Sequence, residues 1–254
     1  MGEQRRGYSR AFRAGVRARL ARLGVGARAV VFGEVLWADL LRGKQRALLA
    51  RLRRSGPLHY PRLRRFAVSA LGDAVAYQPV APQDLSPGEL DVYARVHDRL
   101  ARELERLARR AGPRARLTVV AHSLGTVIVS NYLWDCQRER FRPGARSPLA
   151  RGQTLAHLVF LGSSLPLWSL RYRQYGTPIR FPVADRRGEW LCFYDPDDVL
   201  GYPVKPINRG YQRAVTGDVA VEVGGPLTGW NPLAHLGYWR DRRVLDAVAR
   251  LLAQ

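Results

Sequence analysis

At 254 residues and 28.6 kDa the chain is long enough for a single α/β domain, which would bury roughly 70 to 75% of its unfolded surface. Two cysteines, Cys136 and Cys192, are too few for a disulfide framework, and neither has metal-ligand spacing with histidine. The net charge of +21 raises nucleic acid, anionic membrane and acidic substrates as partners, but only Lys44 and Lys205 among the 42 basic residues are lysines, a bias that a GC-rich genome would produce.

In chain order, Tyr8, Phe12, Val16 and Leu20 recur every four residues and predict a first helix, with Arg10, Arg13, Arg17 and Arg19 largely off its apolar stripe. No signal-peptide core precedes it, no run approaches about 18 apolar residues, and Arg6 breaks the myristoylation pattern that Met1-Gly2 would open. Cytoplasmic residence is the expectation. Ala29-Val30-Val31-Phe32 reads as a strand, followed by a helix from about Ala38 to Arg54 and a helical turn over Pro61–Leu71.

Arg51, Arg53, Arg54, Arg62, Arg64 and Arg65 form the densest basic cluster. Aromatic residues are sparse there and no nucleic-acid-binding motif is present, so a solvated basic face is the first reading, with weak association with anionic membrane left open and no specific nucleic acid expected. After the loop Gln78–Leu85, Ser86-Pro87-Gly88-Glu89 has the form of a capping box. The helix behind it carries Tyr93, Val96, Leu100, Leu104 and Leu107 on one face and stops at Gly112-Pro113.

Leu117-Thr118-Val119-Val120 then predicts an apolar strand, and Thr126-Val127-Ile128-Val129 begins a helix reaching about Asp135. Between them Ala121-His122-Ser123-Leu124-Gly125 places a serine between small residues, which a sharp strand-to-helix turn would lift above the sheet edge. Ala121 and Gly125 are expected to be small because strand and helix pass close together there. By itself this pattern also occurs in many loops and turns.

Leu155–Leu161 is the next predicted strand and ends in Gly162-Ser163-Ser164. Trp190-Leu191-Cys192-Phe193-Tyr194 is another, running into Asp195-Pro196-Asp197-Asp198-Val199-Leu200-Gly201-Tyr202-Pro203. Without a partner serine and histidine, this loop would read as a solvated acidic turn or a cation-binding loop. A last strand is expected around Val219–Val223. Asn231-Pro232-Leu233-Ala234-His235-Leu236-Gly237-Tyr238-Trp239 then puts a histidine before a closing helix marked by Val244, Leu245, Val248, Leu251 and Leu252. His235 also has a plain reading as a capping or packing residue, but His59, His97, His122 and His157 all precede the acidic loop.

The pieces A-H-S-L-G, D-P-D-D-V-L-G-Y-P and H-L-G-Y-W, in that order, resemble the α/β-hydrolase superfamily, particularly its lipase- and esterase-like bacterial members, over nearly the whole chain. The resemblance implies a three-layer fold with a mostly parallel sheet and helices on both faces. It further implies a serine hydrolase that cleaves a carboxylic ester, or a thioester or amide, in a small-molecule or lipid substrate, with no metal or organic cofactor. Ser123 would be the nucleophile, His235 the base and then the acid, and Asp198 the orienting carboxylate, with Asp197 and Asp195 as alternatives. Ser163 and Ser164 would line the pocket, although a strand-end turn explains them equally well. The segments 56–77 and 168–187 would be lid or pocket wall.

Leu124 would supply one oxyanion-hole amide. Met1-Gly2-Glu3-Gln4 resembles the interior of an H-G-M-G-E-Q stretch that some members carry after an early central strand, which implies a second donor at about Met1 or Gly2. Here the strand and the H-G are missing, so the expectation is a native start upstream of Met1, with a shortened family variant as the alternative. Two further classes stay open: a hydrolase-like scaffold without catalysis, and a basic module that binds anionic lipid or nucleic acid.

Overall fold

The computed structural model describes residues 6–54, 56–57, 59–79, 91–139, 145–183, 187–224 and 234–254. Eight helices and four strands are found among them. They are α1 (Arg10–Arg22), α2 (Asp39–Arg54), α3 (Pro61–Ala76), α4 (Val92–Ala111), β1 (Leu117–His122), α5 (Leu124–Arg138), β2 (Leu155–Leu161), α6 (Leu165–Ser169), β3 (Trp190–Tyr194), α7 (Arg209–Ala214), β4 (Gly217–Ala220) and α8 (Arg242–Leu252). None of the described helices is long and apolar enough to cross a membrane. The protein is an α/β protein whose sheet runs β1-β2-β3-β4, every pair parallel.

The chain forms two compact units, Met1–Tyr8 with Glu34–Leu100, and Ser9–Gly33 with Ala101–Gln254. The second contains the sheet. All seven residues of β2 are buried, which requires cover on both faces of the sheet and explains why a continuous apolar run rather than an alternating one makes this strand. On one face Val159, Leu161, Leu191 and Phe193 join Phe12, Val16 and Leu20 of α1 and Val244, Leu245, Val248 and Leu251 of α8 in one cluster. Each such side chain contributes on the order of 1.5 to 3 kcal/mol by leaving water. On the other face Trp190 packs edge-on against Phe160, Phe181 and Tyr211. Asp241 starts α8 by accepting the Val244 N–H at 3.0 Å, an N-cap that satisfies one orphan donor of the first turn.

Three expectations need correction. Ala29–Phe32 pairs with no strand among the described residues: Val30 and Phe32 pack their side chains against the α1/α8 cluster, while the Phe32 carbonyl accepts from Arg110 at 3.1 Å, so β propensity finds side-chain burial without a ladder. The last strand ends at Ala220 rather than Val223, because the Val223 N–H turns to the Asp195 carboxylate at 2.7 Å. The helical turn foreseen at Pro61–Leu71 continues to Ala76. The capping box Ser86–Glu89 lies outside the described residues; α4 itself begins at Val92, where Asp91 accepts the Ala94 N–H at 2.9 Å.

The first unit is helical. α2 and α3 pack together, tied by Gln45 donating to the Asp73 carboxylate at 2.7 Å, and Arg99 of α4 pairs with Asp39 at the start of α2. Tyr77 and His97 share a buried hydrogen bond of 2.7 Å, and the Tyr93 ring lies 4.1 Å from that of His97 and 5.0 Å from that of Tyr77, centre to centre. Burial pushes the His97 imidazole down to about 3, so this histidine is neutral at physiological pH.

Candidate active site

Ser123 stands between β1 and α5 with φ 54° and ψ −129°. That left-handed backbone is costly for a residue with a Cβ, and its neighbours hold it on both sides. The Ser123 N–H donates to the Leu161 carbonyl of β2 at 3.0 Å. The Ser123 carbonyl accepts from the Thr126 N–H at 2.9 Å and from the Thr126 hydroxyl at 2.7 Å. Leu124 opens α5, so its amide belongs to the first turn, which has no acceptor within the helix. Crowding does not explain Gly125: a Cβ there would meet nothing within 4 Å. The tight approaches lie across the strand ends instead, at Gly162 and Gly201.

The three aspartates after β3 have different surroundings. Asp195 is buried, and its carboxylate accepts the N–H groups of Asp197 at 2.9 Å, Val223 at 2.7 Å and Gly224 at 3.3 Å, which pins the loop to the end of β4. Asp197 is exposed. Asp198 is buried, and its Oδ2 lies 2.7 Å from His235 Nδ1 and accepts the Tyr238 hydroxyl at 2.8 Å, while Oδ1 accepts the Leu200 N–H at 3.0 Å. Burial pushes the Asp198 carboxyl up, but His235 and the Leu200 and Tyr238 donors together outweigh it and hold the group below its ordinary value.

His235 lies on a short 3-10 segment, Ala234–Arg240. With Nδ1–H directed at Asp198, its other nitrogen, Nε2, is buried without a hydrogen-bond partner among the described residues. Such a nitrogen keeps a lone pair ready to take a proton. Ser123 Oγ is not hydrogen-bonded to it in the structure. His122, next to the serine, brings the two together: its ring sits 4.6 Å from that of His235, and its Nε2 donates to the His235 carbonyl at 2.6 Å. Enclosure and the neighbouring His235 push His122 down to about 3, which leaves it a neutral donor.

Two glycines make room for this cluster. A Cβ on Gly162, whose φ is 48°, would stand 2.7 Å from the Tyr238 ring and 3.1 Å from His235 Cε1. A Cβ on Gly201 would stand 2.4 Å from Asp198 Oδ2 and 2.7 Å from Gly162 Cα. Neither glycine was given a role from sequence, nor were Tyr238 and His122. The legible signal for Tyr238 was its spacing of three from His235, one helical turn away.

Of the expected pocket serines, Ser163 is fully buried and bonded to Thr126 Oγ1 at 2.9 Å and to the Leu165 N–H at 3.2 Å, so its hydroxyl braces the turn after Ser123. The buried Ser164 Oγ has no partner among the described residues. Met1 and Gly2, expected to give the second oxyanion donor, lie outside the described residues. Within 168–187, a 3-10 turn at Arg173–Tyr175 follows α6, and within 56–77 the structure places α3.

No family model, curated protein or solved structure matches the chain.

Proposed function

We propose that the protein is a serine hydrolase of the α/β-hydrolase kind, cleaving a carboxylic ester through an acyl-enzyme at Ser123. What carries the reading is the conjunction of a strained Ser123 at a strand-to-helix turn with a buried His235–Asp198 pair whose second imidazole nitrogen has no hydrogen-bond partner among the described residues. Ser, Asp and His follow the C-terminal side of β1, β3 and β4 in turn, the edge of a parallel sheet where ligands are bound.

In this reading the Ser123 oxygen attacks the acyl carbonyl as His235 Nε2 takes its proton. Asp198 stabilises the imidazolium that forms, and the Leu124 N–H donates to the developing oxyanion. His235 then protonates the departing alcohol, and water, deprotonated by the same nitrogen, releases the acid and restores Ser123. Strain at Ser123 keeps its oxygen clear of the helix that begins at the next residue.

The test is intact-mass detection of labelling by a fluorophosphonate probe, with Ser123→Ala as control. One adduct on the parent chain, absent from the variant, is the expected result. An unlabelled parent chain, or an adduct that survives in Ser123→Ala, would overturn the proposal.

A further inference from the structure

α3 turns two apolar side chains to water. Its inward face carries Asp73, 2% exposed and bonded to Gln45 of α2, and continues to the buried Tyr77. Residues two apart on a helix point about 200° from each other, so Leu71 and Val75 lie on the opposite face. There they are 64% and 74% exposed, one helical turn apart, with half-buried Val68 and exposed Arg64 completing the same stripe toward the N-terminus. Tyr60, before the helix, is also 74% exposed.

The partner helix carries exposed apolar residues of its own, on the side of Gln45. Leu48 and Leu52, one turn apart on α2, are exposed, and so are Arg51, Arg53 and Arg54 around them. Across Asp39–Ala76 the sequence has nine basic residues (Arg42, Lys44, Arg46, Arg51, Arg53, Arg54, Arg62, Arg64 and Arg65) against two acids. Of those acids, Asp39 is paired with Arg99 and Asp73 is buried. A helix pair facing water would place its carboxylates outside and its leucines inside. Asp73, Leu71 and Val75 are arranged the other way round, and local rules broken in this way mark a surface made for something other than water.

We infer that the α2–α3 hairpin docks on an anionic phospholipid surface, with Leu71 and Val75 entering the headgroup–acyl boundary and the hairpin's exposed arginines held by lipid phosphates. Apolar residues flanked by cationic ones are the pattern of interfacial helices, and the absence of opposing acidic charge gives the complementarity to anionic headgroups. A nucleic acid would reward the arginines but leave the exposed leucines and valines in water. The inference does not depend on the hydrolase proposal, because vesicle binding can be read in Ser123→Ala as well as in the parent chain.

The experiment is sedimentation of the full chain with vesicles of phosphatidylcholine alone and of an equimolar phosphatidylcholine–phosphatidylglycerol mixture. Variants are Leu71→Asp/Val75→Asp and Arg51→Glu/Arg53→Glu/Arg54→Glu, each checked for unchanged far-UV circular dichroism; all five positions are exposed, so folding is not put at stake. Expected is binding to the anionic vesicles about tenfold or more above the neutral ones, reduced about tenfold by either variant.

Binding that survives Leu71→Asp/Val75→Asp unchanged would mean general adsorption of a basic chain and would overturn the inference. Tighter binding to a single-stranded oligonucleotide than to anionic vesicles at the same ionic strength would overturn it in favour of nucleic acid. A concentration-dependent dimer lost in Leu71→Asp/Val75→Asp, with no vesicle binding, would assign the stripe to a second copy instead.

Discussion

Two buried carboxylates, Asp198 in the sheet-bearing unit and Asp73 in the helical one, have opposite fates. Asp198 receives the Tyr238 hydroxyl, the Leu200 amide and His235, and its carboxyl is held below the ordinary value despite burial. Asp73 receives only Gln45 among the described residues, and burial pushes it up to about 6. Burial alone does not decide whether an acid stays charged; the number and charge of the donors converging on it do. A site that needs a permanent anion must therefore bring several elements to one point, and Asp198 draws on the loop after β3 and on the turn holding His235 and Tyr238.

The same substitution applied to both acids should give opposite results. Asp198→Asn keeps the shape but offers an amide N–H to His235 Nδ1, which forces the proton onto Nε2 and removes the base. A loss of about 10⁴-fold in ester turnover is expected, checked by initial rates on an activated ester and by the rate of fluorophosphonate labelling. A loss below about tenfold would show that Asp198 does not set the imidazole's tautomer.

How far these acids could be told apart from sequence is instructive. β2 and β3 were legible to the residue, because buried parallel strands are written as unbroken apolar runs. The serine between β1 and α5 was legible from its flanks. The choice of Asp198 over Asp195 and Asp197 rested on resemblance. What separates them physically is non-local: Asp195 faces backbone amides of Val223 and Gly224, and Asp198 faces a histidine 37 residues away. Gly162 and Gly201 were illegible for the same reason, since each is small to admit groups distant in sequence. Ala29–Phe32 failed because a strand needs a partner that local composition cannot supply. The outward direction of Leu71 and Val75 appears only once Gln45 fixes which side of α3 is inward.

For Asp73→Asn the expected effect is a gain. The folded carboxyl binds its proton more tightly than the unfolded one, about 6 against 3.8. Between those values the folded state holds more protons, so wild-type stability falls as pH rises from about 4 to 6 and levels off above. Asparagine cannot ionise and can still bond Gln45. Its advantage should therefore be small at about pH 4 and reach about 3 kcal/mol at pH 7. Urea unfolding at the two pH values checks this, and an equal effect at both would show that Asp73 ionises without cost.

Tyr238→Phe sharpens the comparison by moving Asp198 one step toward the condition of Asp73. The variant removes one donor from Asp198 and leaves the Asp195 N–H, which Tyr238 Oη now accepts at 2.9 Å, without that acceptor. Turnover is expected to fall about tenfold, through looser orientation of His235 rather than loss of a reacting group. The pH dependence distinguishes this from simple loosening of the fold. A depressed folded pKa contributes stability above the unfolded value that disappears as pH falls through the folded one. With the Tyr238 donor gone the Asp198 pKa rises, so acid unfolding should move to higher pH. Reduced turnover with an unshifted acid-unfolding transition would mean that Tyr238 serves packing alone, and that His235 and the Leu200 amide suffice to keep Asp198 charged.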